Sequence, residues 1–232
     1  TLNRPQAFNA LSEALLASLQ TEFDAIARDE RARLVVIRAA GRAFCAGHDL
    51  REMRAAPSQA YYERLFDQCG RMMLAIQHLP VPVIAQVHGI ATAAGCQLVA
   101  MCDLAVAASD ARFAVSGVNL GLFCATPSVA LSRNLSRKAA FEMLVTGAFI
   151  SADEALAKGL VNRVAPPDQL DAAVEALVAS IVGKPRVALA MGKAVIASNE
   201  GSLPEVGGDL VRYVAPWDVG GWAEAIWEWV VS

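Results

Sequence analysis

The chain has 232 residues, 55% of them hydrophobic and 19% charged, which suits one compact α/β or α-rich domain with a sizeable core and excludes disorder and fibrous repeats. A formal net charge of -3, with a pI near 5.6, lacks the basic surplus that nucleic acid or an anionic membrane surface calls for. The five cysteines, Cys45, Cys69, Cys96, Cys102 and Cys124, are odd in number, sit in apolar surroundings and include no C-x-x-C pair, so reduced thiols in a reducing compartment are expected.

No apolar run approaches the roughly 18 residues of a membrane span, and no basic-apolar-cleavage leader opens the chain. The opening TLNRPQ reads as the interior of something longer, because a strand ending at Leu2 calls for residues before it. Leu11, Leu15, Leu19, Phe23 and Ile26 recur at helical spacing between Asn9 and Asp29, predicting an amphipathic helix capped by Asn9. A short buried strand is predicted at 34–38 (LVVIR). The next segment, AAGRAFCAGHDLREM, breaks periodicity at Gly41 and Gly47, as a ligand-carrying connection would.

A second helix is predicted over 59–77, ended by Pro80 and Pro82 before an apolar strand at 83–87. Another buried strand fits 103–108, and helices fit 126–135, 138–145, 151–158, 168–182 and from Pro185 onward. Ser151 and Glu154 have capping-box spacing at the start of one of them. Alternating strands and helices predict a β/α class of stacked turns.

Two small-residue connections, Cys45-Ala46-Gly47-His48 and Ala93-Ala94-Gly95, each follow a strand and enter a helix, exposing peptide N–H groups. Brought together, the N–H of His48 and that of Ala94 would grip one oxygen, with the second helix adding positive potential. Close packing alone also accounts for such residues. His48 would titrate near neutrality if left in water, Asp49 is the nearest carboxylate and also a helix-capping residue type, and the Cys124 thiol is either nucleophile, base or buried packing group. His78 and His88 lack metal-ligand spacing, so no metal is assigned.

The segments LNRPQAFNALS, VVIRAAGRAFCAGHDLREM, VHGIATAAGCQLVAMCDLAVAASDARFAV and EMLVTGAFISADEALAKGLVNRVAP resemble, in order and spacing, the enoyl-CoA hydratase/isomerase (crotonase) superfamily over residues 1–193. The resemblance implies a ClpP/crotonase-like α/β core of ββα superhelical turns, usually assembled as trimers or hexamers. It implies an acyl-CoA thioester as partner, with coenzyme A entering as part of the substrate and no separate cofactor. By motif position the two carbonyl-binding N–H groups fall on His48 and Ala94. Coenzyme A contacts fall around Gln6, Ala7, Phe44 and Ala46, while Asp49 and Leu50 border the acyl pocket.

Hydratases of this superfamily carry glutamates at the positions matching Gln97 and Gly117, and neither carboxylate is present here. An amide donates and accepts hydrogen bonds but does not shuttle protons near neutral pH. The segment SGVNLGLFCATPSVALSRNLSRKAAFEML resembles the divergent branch called enoyl-CoA hydratase domain-containing protein 3. The implied functions are therefore an enoyl-CoA hydratase-like lyase of fatty-acid metabolism, a non-catalytic acyl-CoA binder or oligomerising subunit, and an acyl-CoA thioester hydrolase or decarboxylase. The implied location is cytoplasmic, or the mitochondrial matrix in a eukaryote. After about residue 193 the pattern departs: the segment 194–232 holds all four tryptophans, Trp217, Trp222, Trp227 and Trp229, and resembles a family-four glycosyltransferase C-terminal fragment. It is expected to be an atypical tail, fused or chimeric, that would interfere with assembly.

Overall fold

The computed structural model describes residues 1–55 and 57–197. Of the expected tail, 194–197 are described, and 198–232 with the four tryptophans lie outside the described residues. Two sheets form the frame. The first is four-stranded and parallel, with β1 (Val35–Ile37), β2 (Val83–Val87), β4 (Leu104–Ala108) and β7 (Arg163–Ala165) in the order β1-β2-β4-β7. The second has β3 (Ile90–Thr92) parallel to β5 (Arg112–Ala114), which pairs antiparallel with β6 (Ile150–Ser151).

From β2 to β5 successive strands alternate between the sheets. β2 turns at Gly89, where φ is +60, into β3, and the chain then enters α4 (Ala94–Met101). A side chain at Gly89 would meet the Arg42 carbonyl oxygen at 2.2 Å, so this corner demands glycine. β4 and β5 repeat the move, and Cys45 adds a parallel bridge to Ala91 beside β3. This is the expected ββα stacking, with every residue of α4 buried at its centre. A helix apolar on all sides belongs inside a domain.

Amphipathic helices cover the frame. α1 (Glu13–Arg28) packs on α3 (Gln59–His78), each burying an apolar stripe that includes Phe23 on α1 and Met72, Met73 and Ile76 on α3. The predicted cap of α1 is displaced. Ser12 caps the helix by accepting from the Leu15 N–H at 3.2 Å, while Asn9 lies upstream in a left-handed conformation with φ 53. Its buried amide accepts from the Arg4 N–H and donates to the carbonyls of Ala40 and Ala43, tying the first residues to a loop thirty positions away.

The short α2 (Leu50–Ala55) follows Asp49, and α5 (Ala125–Asn134) and α6 (Arg137–Thr146) lie beyond a 3-10 turn at Ser116–Leu120. α7 (Ala152–Lys158) starts in the predicted capping box of Ser151 and Glu154. α8 (Leu170–Val182) precedes α9 (Arg186–Ala197). α9 is pinned by Lys193, only 8% exposed, whose ammonium donates to the carbonyls of Ile76 and Val81 and pairs with Asp103 at 2.8 Å. Burial pulls the Lys193 ammonium down and pushes the Asp103 carboxyl up, and each holds its partner's charge against that pull.

Candidate active site

The two small-residue connections meet. Cys45 N–H donates to the Ile90 carbonyl at 3.1 Å and Thr92 N–H donates back to the Cys45 carbonyl at 3.0 Å. The Thr92 hydroxyl donates to the Ala46 carbonyl at 3.0 Å. A β-carbon at Gly47, where φ is +90, would stand 3.0 Å from the Ala93 β-carbon and 3.3 Å from the Ala94 nitrogen. At Gly95 it would stand 2.1 Å from the Cys45 carbonyl oxygen. Glycine at both places lets the end of α4 press directly on the first loop.

The backbone pairing leaves two donors over. Leu11 bridges His48 in parallel, using the Gly47 carbonyl and the Asp49 N–H at 2.8 and 3.2 Å. In a parallel pair the residue between those two groups turns its own N–H to the other side. The His48 N–H accordingly has no acceptor among the described residues. At the second connection Ala93 spends its N–H on the Ala114 carbonyl at 2.9 Å and adopts φ 49, ψ -121, a conformation costing an alanine about 1–3 kcal/mol. The next N–H, that of Ala94, opens α4 and has no acceptor among the described residues, where the helix dipole adds positive potential.

The side chains around these donors differ from expectation. The His48 ring packs edge-on against Phe66, with centroids 5.4 Å apart, and its Nδ1 is buried without a partner. Burial pushes its pKa down to about 4, so the ring is neutral at pH 7 and does not titrate near neutrality. Asp49, expected as a candidate base, is an anchor instead. Its carboxylate pairs with Arg4 at 3.0 Å and accepts from the Arg51 N–H at the start of α2. Burial raises its pKa, but Arg4 and the N–H groups of Arg51 and Glu52 outweigh that and hold the carboxyl below its ordinary value.

Gln97 is 4% exposed, and its amide oxygen accepts from the Thr126 hydroxyl at 3.3 Å. At Gly117 a β-carbon would fall 2.6 Å from the Cys124 sulfur and 2.7 Å from the Leu122 carbonyl oxygen. Cys124 and the Leu122 backbone thus fill the space that a side chain at 117 would need. The neighbouring Cys96 is fully buried, and burial pushes its thiol up to about 12, so it stays protonated.

Of the expected coenzyme A contacts, Gln6 and Ala46 are exposed and Ala7 half-exposed, while Leu50 is 47% exposed. Phe8, beside Gln6 and Ala7, carries the Arg42 guanidinium 4.4 Å above its ring. Phe44 differs: the whole residue is sealed in the core at 0% exposure, so the expected ligand contact is not available there. The aromatic shelf formed by Phe66 and Tyr62 of α3 over His48 went unread in the sequence, although the i, i+4 spacing of the two rings was its available signal. A cavity of about 670 Å³, lined by Ala100, Met101 and Lys193 among others, lies at the opposite end of α4 from the two donors. No group of His, Cys, Asp or Glu able to hold a metal ion occurs among the described residues, and no described helix is long and apolar enough to cross a membrane.

Residues 1–205 match the family model for enoyl-CoA hydratase/isomerase. The chain belongs to the enoyl-CoA hydratase/isomerase family. It is similar to a Mycobacterium smegmatis enoyl-CoA hydratase crystal structure, with 60% identity, a TM-score of 0.85, and coverage of 98% of this chain and 83% of that one. It is also similar to the crystal structure of human enoyl coenzyme A hydratase domain-containing protein 3, at 38% identity and TM-score 0.85, covering 99% of this chain and 88% of that one. A rat protein, mitochondrial enoyl-CoA hydratase domain-containing protein 3, is 46% identical over 193 residues, 83% of this chain and 64% of the rat chain. This family member therefore spans just under two thirds of that curated relative. The crotonase fold and the resemblance to the domain-containing protein 3 branch, both expected from the motifs, hold, and the family match runs past residue 193 to 205.

Proposed function

We propose that the protein is an acyl-CoA enzyme that seats a thioester carbonyl on the N–H groups of His48 and Ala94 and stabilises the enolate formed when the α-carbon loses a proton. The observation that carries this reading is the pair of unspent backbone donors on two loops locked together by Gly47 and Gly95. Donors fixed before the reaction favour an oxygen that gains negative charge, because they need no reorganisation when the charge appears. Gln6, Ala7, Ala46 and Leu50 would line the approach of coenzyme A and the acyl chain. No cofactor beyond coenzyme A enters this chemistry.

The acid–base half of hydration is not supplied by Gln97, by Gly117 or by Asp49, which is held by Arg4. Proton transfer during hydration needs a titrating group within hydrogen-bond reach of the substrate. A second reading, a binder of acyl-CoA that performs no hydration, is favoured by the filled space beside Gly117. For the same reason, pairing Gln97→Glu with Gly117→Glu is a poor route to hydratase activity, since the Leu122 carbonyl is backbone and does not swing aside. Thioester hydrolysis or decarboxylation remains the third reading, as both use a polarised carbonyl without the hydratase glutamates. Exposed Leu120, Leu122, Phe123 and Phe141 support self-association into a trimer or hexamer, and the unpaired cysteines support a reducing compartment.

The deciding measurement is deuterium uptake at the α-carbon of butyryl-CoA in heavy water, read by mass spectrometry beside direct binding of the same thioester. Uptake above a heat-inactivated control is the expected result for the enzyme. Binding without uptake leaves the binder, and absence of binding overturns both. Release of free coenzyme A from simple thioesters would select the hydrolase.

A further inference from the structure

Gln97 lies three residues after Ala94, hence on the same side of α4, with a rise of about 4.5 Å between them. Helical side chains lean toward the N-terminus, which brings the Gln97 amide back toward the level of the Ala94 N–H.

The two ends of this amide are not equivalent. Its oxygen is occupied by the Thr126 hydroxyl, and that hydroxyl makes no other hydrogen bond among the described residues. The amide nitrogen has no acceptor among the described residues, and since it is not one of their sealed, unpaired polar atoms it is open to a small molecule on a side chain whose residue is only 4% exposed. A donor left open on an otherwise buried side chain is placed to exchange water for an acceptor on a ligand. Where the family pattern has an ionisable carboxylate, this chain presents a fixed donor.

The charge around the donor narrows the choice of acceptor. Thr126 is neutral, and Cys124, two residues before it, fills the space beside Gly117 with a sulfur atom. The His48 ring on the first loop is neutral at pH 7. No lysine or arginine pairs with Gln97, Thr126 or Cys124 among the described residues. A carboxylate buried here would lack a counter-charge and pay its desolvation in full. An uncharged carbonyl oxygen takes the same hydrogen bond without that penalty.

We propose that Gln97, oriented by Thr126, selects acyl-CoA thioesters with a neutral carbonyl at the β-carbon, the 3-oxoacyl-CoAs, over saturated and malonyl-type chains. This rests on the reading that His48 and Ala94 hold the thioester oxygen. Gln97 is then a specificity residue that touches the substrate, and Thr126 a positioning residue that acts through it.

Calorimetric titration with acetoacetyl-CoA, butyryl-CoA and malonyl-CoA tests this. The wild-type protein is expected to bind acetoacetyl-CoA about 5- to 10-fold more tightly than butyryl-CoA, the worth of one neutral hydrogen bond, and to bind malonyl-CoA less tightly than acetoacetyl-CoA. Gln97→Met, checked for folding by circular dichroism, should bring the ratio of the first two dissociation constants to about 1. The isosteric Gln97→Glu, which removes the donors and keeps the shape, should push it below 1, and Thr126→Val should lower it partway. Equal binding by the wild type, a preference that survives in Gln97→Met, or a preference for malonyl-CoA overturns the proposal and leaves the thioester site standing. Failure of both butyryl-CoA and acetoacetyl-CoA to bind overturns the two together.

Discussion

The two ends of α4 are built on opposite principles. At its C-terminal end the carbonyls of Leu98, Val99 and Ala100 accept from the Cys102 thiol, the Cys102 N–H and the Asn134 amide. Asp103 next to them holds Lys193 and the Val83 N–H. At its N-terminal end Ala93 sits in a strained conformation, the Ala94 N–H is unspent, and the Gln97 amide nitrogen has no partner among the described residues. One end stores stability by pairing these carbonyls and the Asp103 carboxylate. The other leaves donors unspent, at a cost that the rest of the helix must offset.

Breaking each end should therefore produce a different signature. Asp103→Ala strands a buried ammonium and the Val83 N–H, and is expected to cost about 3–5 kcal/mol of unfolding free energy, read by urea denaturation. At urea concentrations where the variant stays folded, acyl-CoA affinity should change little, since the damage lies at the far end of the helix. A matching loss of affinity would show that the two ends are not independent.

Gly95→Ala attacks the other end. Its β-carbon would overlap the Cys45 carbonyl at 2.1 Å, and the backbone shift needed to relieve that is expected to cost about 1–3 kcal/mol. Because the shift parts the loop of Gly47 and His48 from the start of α4, acyl-CoA affinity should fall by at least about tenfold. A variant that binds normally would separate the glycine contact from the carbonyl site.

The smallest effect comes from His48. Its folded pKa is depressed to about 4, against about 6.5 in the unfolded chain. The unfolded state therefore takes up the proton first as pH falls, and the stability this residue contributes is present above pH 6.5 and lost progressively toward pH 4. The slope is at most about 1.4 kcal/mol per pH unit, with solvent reaching part of the ring reducing it. Denaturation of wild type and His48→Gln at pH 7 and pH 5 should give a wild-type loss that the variant lacks. Equal losses would assign the pH dependence to other groups.

Local pattern determined much of this protein. Helical spacing marked α1 and α3, the capping box marked the start of α7, and ordered motifs announced the crotonase fold with both small-residue connections in it. These signals are legible because periodicity and capping act over a few neighbouring residues. β3, β5 and β7, at three residues each, are too short to carry a period and exist through pairing with distant strands. Only the tertiary structure decided that Asn9 ties down a remote loop rather than capping α1, because its partners are the carbonyls of Ala40 and Ala43. The same holds for Asp49, taken by Arg4 from 45 positions away, and for Gly117, whose missing side chain leaves room that Cys124 fills. A side chain's chemical type is written in the sequence, but whether it is free to act depends on which partners the fold brings to it.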